Sequence, residues 1–152
     1  MLKYPVIAAY IANLTDARYF AARGVDHLLY DLDQIQVAEI AEIQEWVSGP
    51  TALLLFSDKQ LELLDEAIIK LAPVAIGTKT MSNAGIEHMA GHVAFFEWKD
   101  SIIELDDTTY VDFTQHNGNP SQGIILMGGN EDMIGVKSYD DLDEILDQLE
   151  ID

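Results

Sequence analysis

The sequence predicts one α/β domain on a mainly parallel sheet, with fewer helices than strands in its second half. Three observations carry this. From Val6 to Thr78, short apolar runs alternate with helix-spaced segments, the rhythm of βαβ units with parallel strands. From His92 to Met127 the extended runs continue, but no convincing helix separates them. The length of 152 residues suits a single domain with its own core, and residues 1–152 show no internal repeat, low-complexity tract or linker.

Each element has its own justification. Val6 to Ile11 is an apolar run short enough for a buried strand. Asn13 to Asp16 offers several helix N-caps, and Ala17, Phe20 and Ala21 then recur at helical spacing. Gly24 stands where a helix ends. His27 to Leu32 reads as a second strand. Val37, Ile40, Ala41 and Val47 mark a second helix, closed by Ser48-Gly49-Pro50. Thr51 to Phe56 is a third strand, apolar as a strand covered on both faces must be. Leu61, Leu64, Ile68 and Leu71 form a third helix, Pro73 to Thr78 a fourth strand, and Ser82 to Ala90 a short, weaker helix. His92 to Trp98, Ile102 to Leu105, Tyr110 to Thr114 and Gly123 to Met127 are all extended in pattern. The chain closes on a helix carrying Leu142, Ile145, Leu146 and Leu149.

A full eight-unit βα barrel takes ~250 residues, with ~200 near the lower limit. Here 152 residues shared among eight units leave 19 each, too few for a strand, a helix and two loops every time. Parallel neighbours need crossovers of about a dozen residues, whereas antiparallel ones need only a tight turn. The expectation is a reduced TIM-barrel-like sheet in which hairpins or bare loops replace lost helices. The alternative is an open, flavodoxin-like sheet with the first strand central.

Composition narrows the partners. There are 27 acidic residues against 8 basic ones, a formal net charge of −19. A polyanion is repelled by such a surface, so neither nucleic acid nor an anionic membrane is expected as a partner. No apolar stretch approaches the ~20 residues that span a bilayer. The start, Met1-Leu2-Lys3-Tyr4-Pro5, lacks the pattern of a secretion signal. Without cysteine there is neither disulfide nor thiolate chemistry. A cytoplasmic protein without a cofactor is the expectation. His88 and His92 lie four apart but belong to no metal motif, and Gly77-Thr-Lys79 lacks the pattern of a nucleotide loop. Asp140, Asp141 and Asp143 read as a solvated helix N-terminus.

Val6 to Tyr30, Val111 to Gly123 and Gly128 to Lys137 are three segments that resemble the phosphoribosylanthranilate isomerase family, a barrel family of tryptophan biosynthesis. Val6-Ile-Ala-Ala-Tyr-Ile-Ala-Asn-Leu-Thr-Asp-Ala-Arg18, running on to Tyr30, is similar to the family's K-I-C-G-I-T strand, N-x-x-D-A and G-A-D-A-x-G-F. Ile11, Asn13, Asp16, Ala17, Gly24 and Asp26 carry the match. Val111-Asp-Phe-Thr114, with its Gly/Asn-rich loop to Gly123, is similar to the L-D-T-K-T strand end and the glycine loop after it. Gly128-Gly-Asn-Glu131 and Gly135-Val-Lys137 resemble the S-S-G-V-E and P-G-V-K-D ending. The middle of the chain matches in rhythm alone.

The resemblance implies an Amadori rearrangement of an aminoaldose phosphate, with an Asp as general acid, a Cys as general base and phosphate held on glycine loops. Such chemistry needs the acid and base positioned on either side of the reacting carbon. The acid falls on Asp112, whose bland reading is a cap on the following turn. The base falls on Ala9, which cannot accept a proton, and Tyr10 stands where the family has glycine. The phosphate site falls on Gly128, Gly129 and Asn130, where backbone N–H groups can donate. Where the family carries a basic segment for the anthranilate, this chain has Asp31-Leu-Asp-Gln-Ile-Gln36. The implied protein is an isomerase-like pseudoenzyme that retains binding of a phosphorylated small molecule. The alternatives are an isomerase of a different sugar phosphate, and a non-catalytic homodimeric domain that pairs through His92 to Met127.

Overall fold

The computed structural model describes residues 2–57, 61–78, 94–99, 102–105, 107–119, 121–127 and 139–150. In the first half β1 (Val6–Ala9), β2 (His27–Asp31), β3 (Thr51–Phe56) and β4 (Ala75–Thr78) alternate with α1 (Leu14–Ala22), α2 (Val37–Trp46) and α3 (Leu61–Leu71). The second half has β5 (Ala94–Lys99), β6 (Ile102–Leu105), β7 (Thr108–Asp112), β8 (Gln122–Met127) and a last helix, α4 (Tyr139–Leu149). The eight strands close into a barrel in sequence order. Closure comes from a parallel ladder that pairs Val6 with Ile124 and Ala9 with Met127. That ladder excludes the open, flavodoxin-like alternative, which needs β1 in the middle of a sheet with free edges.

The shortening has a physical explanation in β6. It runs antiparallel to both β5 and β7, while every other pair is parallel. Antiparallel neighbours can be joined by a tight turn, so reversing this one strand removes two crossovers. The connection from β7 to β8 is parallel yet brief. Among its described residues it holds only a 3-10 turn, Phe113–Gln115. The expected loss of helices in the second half is therefore observed between β5 and β8. The helix expected over 82–90 lies outside the described residues.

Some boundaries differ from the sequence reading. The strand expected at Tyr110 to Thr114 starts earlier and stops at Asp112, where the backbone turns into the 3-10 segment. The first strand stops at Ala9 rather than Ile11, because Tyr10 has φ +59 and leaves the extended region.

Two apolar layers hold the barrel. Inside it, Ile7, Leu29, Leu53, Leu55, Ile103 and Ile125 form a packed plug of side chains. Outside, Val6, Leu28, Leu54 and Ile124 meet Phe20, Ile40, Leu64 and Leu146 of the four helices. Strand alternation sorts the residues between these layers. Two glycines make room for interior rings: a Cβ on Gly77 would stand 2.3 Å from the Phe96 ring, and one on Gly123 would stand 2.3 Å from the Tyr110 ring.

The matched residues near the N-terminus do structural work. Asn13 caps α1, its Oδ1 accepting from the Asp16 N–H at 2.8 Å, and Asn13 Nδ2 donates to the Asp16 carboxylate. Asp26 accepts from the Val6 N–H at 2.9 Å and binds the start of β1 to the approach to β2. Gly24, with φ +82, makes the left-handed turn after α1. The two ends of the described chain also meet, through Lys3 N–H to the Leu149 carbonyl and a bridge between Leu2 and Glu150. Beside them Arg23 binds Asp143, Asp147 and Glu150 and fastens α1 to α4.

Candidate functional site

Barrels of this kind place their sites at the rim where the parallel strands end. Here that rim is built from the ends of β1 to β5, β7 and β8, and β6 starts from it because it is reversed. Five stretches of this rim bear on the expected site: Ala9–Tyr10, Asp31–Asp33, Ser57, Asp112–Thr114 and Met127.

Ala9 ends β1 and is wholly buried in the interior cluster. No titratable group stands at this position, where the resemblance implies the base. Tyr10 keeps the positive φ that glycine adopts without penalty. The backbone at this point thus has the conformation suited to the family's glycine, although the glycine is gone.

Asp112 is half-buried at the end of β7, in register with the interior-facing Tyr110. Its Oδ2 accepts from the Thr114 N–H at 3.0 Å and from the Thr114 hydroxyl. The carboxylate therefore caps the 3-10 turn, in keeping with the bland reading of this residue. Phosphate sites in such barrels are commonly made by the loops after the seventh and eighth strands. Asp112 stands at the rim on the strand next to β8.

Asp31 was not singled out in the sequence as a site residue. It ends β2 in register with the interior-facing Leu29 and is 1% exposed. Its Oδ1 accepts from the Asp33 N–H at 2.9 Å, and Asp33 Oδ1 accepts from the Ser57 hydroxyl at 3.3 Å. The acidic segment 31–36, which stands where the resemblance implies a basic one, begins inside the barrel mouth. The signal was available: His27-Leu-Leu-Tyr-Asp31 is an apolar strand ending in Asp, as is Thr108-Thr-Tyr-Val-Asp112. The structure brings Asp31 and Ala9 onto neighbouring strands, with Ala8 paired to Leu28.

Gly128, Gly129 and Asn130 lie outside the described residues, as do His88, His92 and Lys137. They follow or precede described elements, and β8 delivers the chain to Gly128 from the rim at Met127. Among the described residues no group of three His, Asp or Glu side chains could hold a metal ion. No described helix is long and apolar enough to cross a membrane.

By sequence, neither a protein-family model nor a curated protein matches the chain. By structure, phosphoribosyl anthranilate isomerase from Thermus thermophilus matches with a TM-score of 0.70 over 95% of this chain and 98% of that one, at 14% identity. The fold is that of phosphoribosylanthranilate isomerase. A second phosphoribosylanthranilate isomerase, solved in complex with reduced 1-(o-carboxyphenylamino)-1-deoxyribulose 5-phosphate, gives 0.67 over 94% and 96% at 11% identity. The Thermotoga maritima isomerase gives 0.57 over 90% of this chain and 66% of that one, at 12% identity. Likeness at these identities is a likeness of fold. The likeness in fold covers most of the chain, and of the described residues that the resemblance singled out, Asp112 caps a turn and Ala9 presents a buried methyl group.

Proposed function

We propose that this chain is a phosphoribosylanthranilate isomerase-like protein that does not catalyse the isomerisation and retains binding of a phosphorylated sugar at its rim. The observation that carries the reading is Ala9. Its methyl group is buried where a proton acceptor is required, and an alkyl side chain cannot act as general base. Asp112, the acid by resemblance, is committed to Thr114.

Two further features favour a sugar phosphate over an anthranilate. The β2 side of the rim carries Asp31 and Asp33, acceptors suited to sugar hydroxyls and unfavourable to an aromatic carboxylate. The β8 side leads into Gly128-Gly129-Asn130, where backbone donors would take the phosphate against the overall negative charge.

Calorimetry with ribose 5-phosphate, set beside an isomerase assay on protein free of the host enzyme, tests both halves. The expected result is saturable binding without turnover of phosphoribosylanthranilate. Turnover at an ordinary enzymatic rate overturns the inactive assignment, and absence of any sugar phosphate binding overturns the other.

A second reading is a homodimer through the second half. It is favoured by β6, whose outer face has no described helix over it and exposes Ile102. Light scattering at micromolar concentration decides it: a monomer ends this reading.

A further inference from the structure

Consecutive side chains of a regular strand face opposite sides of the sheet. Ala9 and Tyr10 are consecutive, yet both pack on the interior cluster. The cause is the backbone of Tyr10. At φ +59 it breaks the alternation and turns the tyrosine back toward the barrel axis instead of out toward the helices. A left-handed conformation is unfavourable for any residue with a Cβ, so its contacts in the folded barrel, packing on the interior cluster among them, must hold Tyr10 there. Such outliers point to a role at the place where they occur. Met127, which pairs with Ala9 across the β1–β8 ladder, is likewise partly buried against the same cluster. Ala9, a member of that cluster, has no exposed surface at all.

We propose that Tyr10 is a plug: its ring, with Met127 beside it, closes the barrel mouth over Ala9 and keeps ligand atoms from that position. The chain is then blocked twice at one point, chemically by Ala9 and sterically by Tyr10. A ligand at the rim is confined to the β2 side and the β7–β8 side. This inference needs only the geometry of the mouth and stands or falls apart from the sugar phosphate proposal.

The absence of cysteine makes a clean test available. Ala9→Cys introduces a single thiol at the covered position, and iodoacetamide, being neutral, is not repelled by the acidic surface. The expected result is labelling of Ala9→Cys slower than that of the urea-unfolded chain by roughly 100-fold or more, as for a site reached only by opening. In Ala9→Cys/Tyr10→Gly, which the left-handed backbone accommodates, labelling should recover most of that factor. A control, Ala9→Cys/Leu71→Ala, weakens the outer layer at the end of α3 that leads back to the start of β4, away from the mouth, and should stay protected under native conditions. Rapid labelling of Ala9→Cys alone, continued protection after Tyr10→Gly, or equal labelling of the control each overturns the plug. Should the introduced cysteine prevent folding, xenon NMR of Tyr10→Gly against the wild type replaces it: a new apolar site is expected in the variant only, and its absence overturns the proposal.

Discussion

The ring of Tyr110 occupies the space that a side chain on Gly123 would need: its Cδ1 lies 2.3 Å from the position of a Cβ there. The two residues are partners across the β7–β8 ladder, and Tyr110 is nearly completely buried. The barrel thus fills its interior with a large ring from one strand over a glycine on the next, and Phe96 over Gly77 repeats the device.

Gly123→Ala should therefore destabilise the protein. A methyl group forced against a buried ring displaces the ring or the strand, and overpacking of this kind costs about 1–3 kcal/mol. Urea denaturation gives the number. A variant as stable as the wild type would mean that Tyr110 has another place to go.

Ala72→Gly should act in the opposite direction. Ala72 follows α3 with φ +47 and is exposed, so it has little packing to lose. Its N–H donates to the Ile68 carbonyl in the usual helix-ending manner. Relief of the left-handed penalty should contribute about 1 kcal/mol, less what glycine's looser unfolded chain takes back. A rise in the urea midpoint at unchanged slope is the expected outcome.

Salt should raise the melting temperature. With 27 acidic residues against 8 basic ones, long-range repulsion dominates, and sodium chloride screens it beyond ~8 Å at physiological strength. The Arg23 cluster has the opposite dependence. One guanidinium holds Asp143 at 3.1 Å and Asp147 at 2.8 Å, and exposed pairs contribute roughly 0.2–1 kcal/mol each, less in salt. Arg23→Ala should cost about 1 kcal/mol at low salt, with the gap to the wild type narrowing as salt is added. A gap that widens would show that Arg23 acts by packing alone.

Alkaline pH should unfold the protein through its tyrosines. Burial pushes the Tyr30 phenol up to about 12 from its ordinary 10. Burial, and then the hydrogen bond to Asp143, also raise Tyr19. A raised folded-state value means that the neutral form is favoured on folding. This stability is fully present below pH 10 and is lost as pH climbs toward 12, at about 1.4 kcal/mol per unit for Tyr30. Tyr30→Phe should flatten part of the decline in a denaturation series from pH 9 to 12, and an unchanged slope would count against it.

Local pattern alone determined a good deal. The βαβ rhythm to Thr78 is written in apolar periodicity, because a strand covered on both faces and a helix covered on one have different repeats. The scarcity of helices after β4 follows from chain length and from runs that stay extended. That position 9 offers no proton acceptor follows from alanine itself, wherever Ala9 lies. Other features were settled only by tertiary structure, because they depend on contacts between distant segments. Val6 pairs with Ile124 across almost the whole chain, and nothing local to either residue signals closure. The reversal of β6 depends on which neighbours it finds, since an extended run carries no mark of direction. Asp31 and Asp112 both end apolar strands, but only the folded rim shows one buried in the mouth and the other bound to its own turn. Tyr10 reads in the sequence as a missing glycine. Its inward turn onto the interior cluster exists because contacts made in the folded barrel offset the cost of a backbone conformation that tyrosine alone would avoid.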